Sequence, residues 1–283
     1  MACGPYMRRI PRAHHTVSRL HFASFALLAS FALASSPARA EEKEDPPKPT
    51  SRTERRIEGW TVRVDDRLLQ PPADVLGARC LRFLEAKLSD IAAVVPAGRL
   101  ERLRQVTIVL DLSHGKLHAM QYHPDAGWLR ENGYSPDLVK CVHIPEAADF
   151  VTPRSVNEQP WVVLHELAHA YHDQVFGFDE PRIRKAYERY KASGHGASAL
   201  LITGKHTRHY ALTDPMEFFA EMSEAYFGMN DFFPFNRAEL MTAEPEIYDL
   251  LRTIWGPLVG APDAGRPPAP SPSRPASAPA AGR

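Results

Sequence analysis

Residues 161–176 read WVVLHELAHAYHDQVF, an apolar helical run with His165 and His169 four positions apart and Glu166 directly after the first histidine. The periodicity predicts one long helix over about 155–176, stopping at Gly177. Residues four apart on a helix share a face, so both imidazoles can reach one tetrahedral Zn²⁺. Trp161, Val162, Val163 and Leu164 precede the motif, and Leu167, Ala168, Ala170 and Tyr171 surround it, which predicts a buried helix. Two imidazoles buried there need polar partners, and a metal supplies them. Glu166 is then placed to contact a metal-bound water as a general base.

Ahead of this helix the pattern is strand-like. WTVRV at 60–64 alternates, 72–95 is an amphipathic helix after Pro71-Pro72, and QVTIVLDL at 105–112 is rich in β-formers. A further strand is expected at the sheet edge over 116–123, and another over 139–144. Behind the motif, helices are expected over 180–192, from Asp214-Pro215 to Gly228, and over 236–255, with an irregular stretch or short hairpin at 197–212. Strands first and helices second predict an α+β fold rather than a doubly wound α/β sheet.

Zinc in a hydrolase takes three protein ligands and leaves a position for water. His172 lies seven residues after His165, about 10.5 Å along the axis, too far to share the ion. The metzincin extension is absent, because positions 172 and 175 hold His and Val where that motif needs Gly and His. The best source of the third ligand is YALTDPMEFFAEMSEAYFG at 210–228, where Glu217, Glu221 and Glu224 stack on one helical face. Asp214 reads as an N-cap and Pro215 as the first helical residue, so Glu217 also fits the reciprocal position of a capping box. If capping is its only role, Glu221 is the ligand. His206 and His209 read as exposed loop residues, His172 as packed beside the site or in a surface contact, and Phe218, Phe219, Tyr226 and Phe227 as core.

HELAH, followed by a Tyr seven residues before the first Glu of EFFAE, resembles the catalytic domain of anthrax lethal factor and the related Pro-Pro endopeptidases. The resemblance covers about 160–228. These are gluzincins, and the likeness implies a zincin-like metallopeptidase domain in which a small N-terminal sheet precedes a helical half. It further implies His165, His169 and Glu217 as zinc ligands, Glu166 as base, Tyr210 as donor to the oxyanion, and Glu221 as the carboxylate holding a ligand histidine by its other ring nitrogen. Protein or peptide would be the substrate. The other reading is a catalytically idle zincin fold serving as a surface binding module; retention of Glu166, Glu217 and Tyr210 speaks against it.

The rest of the 283 residues sets the context. Lys+Arg and Asp+Glu both number 34, which gives no reason to expect a nucleic-acid binder. Residues 1–40 carry five arginines and no acid, then the apolar FASFALLASFALAS and Pro37-Ala38-Arg39-Ala40, a pattern expected of a cleavable signal peptide. Without those arginines the chain holds 29 basic against 34 acidic residues, a charge of −5. The expectation is a secreted or cell-envelope protein with no stable membrane insertion after cleavage. In an oxidising compartment Cys80 and Cys141 form either a disulfide or two buried thiols, with nothing in the sequence to separate the two. Residues 41–56 read as a flexible linker, 57–258 as the folded domain, and 259–283, rich in Pro and Ala, as a disordered tail.

Overall fold

The sheet alternation converts directly into two differently used faces. A computed structural model of the protein describes residues 45–257, so the expected signal peptide and C-terminal tail lie outside the described residues. Strands β1 (Arg52–Ile57) and β2 (Trp60–Asp65) form a hairpin. Helices α1 (Asp74–Val94) and α2 (Ala97–Leu103) then cross over to β3 (Ile108–Leu110), which pairs parallel with β2. The short β4 (Gln121–Tyr122) and helix α3 (Ala126–Glu131) precede β5 (Val142–Ile144). The order across the sheet is β1-β2-β3-β5-β4, parallel through its three central strands and antiparallel at both edges.

Because side chains alternate at period two, Val62, Val64, Ile108, Leu110, Val142 and Ile144 face the main core. Val109 and Cys141 face the other way, into a small cluster with Leu129 and Leu138. Cys80 belongs to the main core and both thiols are free, so the disulfide alternative is not adopted.

The remainder is helical: α4 (Ala147–Phe150), α5 (Pro153–Asn157), α6 (Val162–Tyr171) with a π-helical turn over His172–Phe176, and α7 (Pro181–Ser193). A hairpin of two short strands, β6 (Ala199–Leu200) and β7 (His206–Thr207), leads to α8 (Pro215–Phe227), α9 (Arg237–Ala243) and α10 (Pro245–Trp255). The α+β class is thus observed, as a small mixed N-terminal sheet followed by a mostly helical half. No helix among the described residues is long and apolar enough to cross a membrane.

Three expectations are corrected. The linker expected over 41–56 contains β1, so ordered structure begins before residue 57. RTERRI lacks apolar alternation because, as an outer strand, it has only β2 to pair with and keeps most side chains exposed. The signal was in the turn: Glu58 and Gly59 both take positive φ, 48° and 90°, as in a type I′ hairpin. The helix expected over 155–176 is two helices, broken where Pro160 cannot donate a backbone hydrogen bond. The strand expected over 116–123 shrinks to Gln121–Tyr122 between Gly115 and Pro124.

Helix α6 lies between the sheet and α8. The turn after α8 approaches it so closely that a Cβ on Gly228 would lie 1.9 Å from the Trp161 ring, a position only glycine fits.

Candidate metal centre

Helix α6 presents the rings of His165 and His169 edge to face, 4.7 Å apart. Helix α8 supplies the opposing carboxylate. Its N-cap, Asp214, accepts from the backbone N–H groups of Met216 and Glu217 at 2.8 and 2.9 Å, so the helix end is closed without the Glu217 side chain. That side chain turns toward α6: Oε2 lies 3.0 Å from His165 Nε2 and 3.3 Å from His169 Nε2. Tyr210, in the turn before α8, donates its hydroxyl to Glu217 Oε1 at 3.2 Å. His165, His169 and Glu217 thus each offer one ligand atom within 4.8 Å of the others.

The second ring nitrogen of His165 is held differently from expectation. Its Nδ1 is 2.7 Å from Glu224 Oε1 but 3.8 Å from Glu221 Oε1, so the hydrogen-bond partner is Glu224. Helix geometry explains this, since a residue seven positions on returns to within about 20° of the starting azimuth, against about 40° for one four positions on. Glu221 is buried, and its Oε2 has no hydrogen-bond partner. Glu166 is also buried, with Oε2 accepting from the backbone N–H of Tyr122 at 2.7 Å.

Two neighbouring histidines also differ in setting. His209, expected to be exposed, is fully buried and stacks on Phe232 with ring centroids 4.7 Å apart. Its Nδ1 accepts from Ala211 N and its Nε2 is unpartnered; burial pushes its pKa down to about 3. His172 is buried between Phe178 and Phe219, with neither ring nitrogen partnered and its pKa pushed down to about 4 by burial. His206 is exposed, and Phe218, Phe219, Tyr226 and Phe227 are core, as expected.

The electrostatics of the centre are one-sided. Glu166, Glu217, Glu221 and Glu224 gather around His165 and His169, and among the described residues no lysine or arginine forms an ion pair with any of them. Burial opposes ionisation of His165, yet Glu217 and Glu224 outweigh it and hold the ring well above its ordinary pKa. Burial likewise works against the Glu217 carboxylate, but His169 and His165 keep it well below the usual carboxylate range. Glu166 and Tyr210 are both raised, chiefly by burial.

A second histidine–carboxylate cluster, on the far face of the sheet, has the opposite character. Asp111, just beyond β3, receives Arg52 of β1 through Nε and Nη2 at 2.7 and 2.8 Å. His114 Nδ1 and His143 Nε2 also meet Asp111 Oδ2 at 2.7 and 2.8 Å, and His143 Nδ1 faces His123 Nε2 at 3.1 Å. Asp111, His114 and His143 could geometrically hold an ion, but the guanidinium already supplies the positive charge. No signal for this cluster was read in the sequence.

Comparison with known proteins matches the chain to no family profile, no curated protein and no solved structure.

Proposed function

We propose that the chain is a zinc-dependent endopeptidase of the gluzincin type, exported after removal of its N-terminal signal. The supporting observation is the convergence of His165 Nε2, His169 Nε2 and Glu217 Oε2 in a largely buried, acid-rich setting with which no lysine or arginine among the described residues forms an ion pair. Two imidazoles and one carboxylate are a donor set that zinc hydrolases use. The Glu224 contact at Nδ1 fits this assignment, since it keeps a ring proton on Nδ1, so that a bound cation would replace only the proton at Nε2.

When bound, Zn²⁺ supplies Lewis-acid polarisation of a peptide carbonyl and acidification of water. Glu166 is held at Oε2 by Tyr122 N–H, which leaves Oε1 to take a proton from the attacking water and return it to the leaving amine. The Tyr210 hydroxyl, now on Glu217, turns to donate to the oxygen that gains charge in the tetrahedral state. Glu224 positions the His165 imidazole.

The test is zinc stoichiometry of the purified mature protein together with cleavage of an unbiased peptide library. One bound zinc with cleavage supports the proposal. A protein that holds zinc and cuts nothing favours the idle binding module.

A further inference from the structure

The contact between Glu166 and the sheet is one half of a two-point grip. Tyr122 is the last residue of the edge strand β4. Its neighbour His123 bonds inward to the residues that lead into β5, through His123 N to Cys141 O and Lys140 N to His123 O. Tyr122 N–H points the other way, across the open edge, and is taken by Glu166 Oε2 at 2.7 Å. The phenol of the same residue reaches the same helical segment two turns later, donating to Asp173 Oδ2 at 2.6 Å and accepting from Gln174 Nε2 at 3.1 Å. Lys140, at the entry to β5, pairs with Asp173. Glu166 and Asp173 are seven residues apart, so α6 and its π-helical turn hold both ends of one tyrosine.

From this we infer that Tyr122 and Asp173 are positioning residues: together they clamp the edge strand to the motif helix and thereby fix the rotamer and orientation of the Glu166 carboxylate. The inference rests on the peptidase reading only for its catalytic consequence. A carboxylate on a three-torsion side chain has many orientations, and one backbone donor selects among them only if the donor itself is held. The phenol–Asp173 bond holds it, and Lys140 holds Asp173. Nothing in the grip touches the atoms of His165, His169 or Glu217 that face one another, so aim and metal affinity should separate.

The experiment compares wild type, Tyr122→Phe, Asp173→Leu and Asp173→Asn. The first readout is NMR of the zinc-free protein, following the shift and hydrogen exchange of the residue-122 amide, with Glu166→Gln as the reference for a weakened acceptor. Tyr122→Phe and Asp173→Leu should speed exchange of that amide about tenfold while amides of β2 and β3 stay protected. Asp173→Asn keeps an oxygen for the phenol and should recover most of the protection. Zinc affinity should stay within about twofold, and kcat on a peptide substrate should fall roughly 10–100-fold at nearly constant KM. The inference is overturned if the 122 amide does not respond, if protection collapses throughout the sheet, or if zinc affinity or KM changes instead of kcat. A wild-type protein that holds zinc and cuts no peptide, with the 122 amide still responding as described, removes the peptidase reading and leaves the clamp standing.

Discussion

Two buried clusters in this chain contain the same kinds of side chain and resolve their charge in opposite ways. On the far face of the sheet, Asp111 is surrounded by His114, His143 and the forked guanidinium of Arg52. Burial opposes its ionisation, but those donors hold its pKa far below the ordinary value. Between α6 and α8, by contrast, Glu217 and Glu224 meet His165 and His169 with no ion pair to an arginine or lysine among the described residues. A buried charge must be paired or coordinate a metal. The first cluster contains a permanent cation, Arg52, whereas the second has only the titratable His165, held well above its ordinary pKa by Glu217 and Glu224. Histidine count and spacing alone do not separate them; the presence of Arg52 does.

The largest expected effect that could break this contrast is at the motif. On the proposed zinc reading, His165→Ala should weaken zinc binding by more than ~100-fold and abolish peptide cleavage, because it would remove one of three ligands. Glu166→Gln should keep zinc and still lose about 10²–10⁴-fold in kcat. His143→Ala should leave zinc stoichiometry untouched. Equilibrium dialysis and steady-state kinetics on the three variants decide this, and a loss of zinc in His143→Ala would erase the distinction between the clusters.

Next in size is Arg52→Ala. It takes the guanidinium from a fully buried carboxylate and leaves only the two histidines beside it, and breaking such a pair costs about 3–5 kcal/mol. Urea unfolding should show that loss with zinc stoichiometry unchanged; a loss below 1 kcal/mol would mean that Arg52 is not the internal cation.

His172 sharpens the comparison from a third direction, as a buried imidazole with no partner. Burial pushes its pKa down to about 4, against about 6.5 in an unfolded chain. As pH falls the unfolded chain takes up the proton first, so this share of stability is complete above about pH 6.5 and is lost progressively toward about pH 4. The full loss is about 3 kcal/mol. Guanidinium unfolding of zinc-free wild type and His172→Leu at pH 7 and pH 4.5 should show the variant losing about 2–3 kcal/mol less over that interval. Equal losses would show that the ring is hydrated or partnered in solution.

The smallest effect discriminates between two acids of the same helix. Glu224→Ala should cost ~10–100-fold in zinc affinity, as removal of a carboxylate that orients a ligand histidine does. Glu221→Ala should cost less, because Glu221 Oε1 stands 3.8 Å from His165 Nδ1, beyond hydrogen-bond range. Competition titration with a zinc chelator ranks the two; the reverse order would restore Glu221 to the role expected from the sequence.

How much of this could be read from the chain alone depended on how local the determining physics was. The apolar run Trp161–Tyr171 and the Asp214-Pro215 cap carry their structure within a few residues, and both helices form where the pattern places them. Gln159-Pro160 was equally local and marks the break in the longer expected helix. β1 was hidden because an outer strand with charged, exposed side chains lacks the alternation that marks a half-buried one. His209 was hidden because a loop residue is buried by what packs on it, here Phe232 and Tyr190. Arg52 and Asp111 stand 59 residues apart, so no window of sequence joins them. The choice between Glu221 and Glu224 turned on a rotation of tens of degrees, finer than a face assignment.

The position of Arg52 in the chain has a kinetic consequence. The β1–β2 hairpin is local and closes on the microsecond scale, whereas β3 and β5 must arrive through crossovers before Asp111 and His143 stand beside it. Such non-local pairings form late and slowly. If the guanidinium bond forms only after the transition state, Arg52→Ala should leave the refolding rate nearly unchanged while accelerating unfolding, which stopped-flow refolding and unfolding in urea would measure. On that order the first strand of the described residues would carry one of the last bonds to close, and that bond would lengthen the time the folded molecule survives between openings.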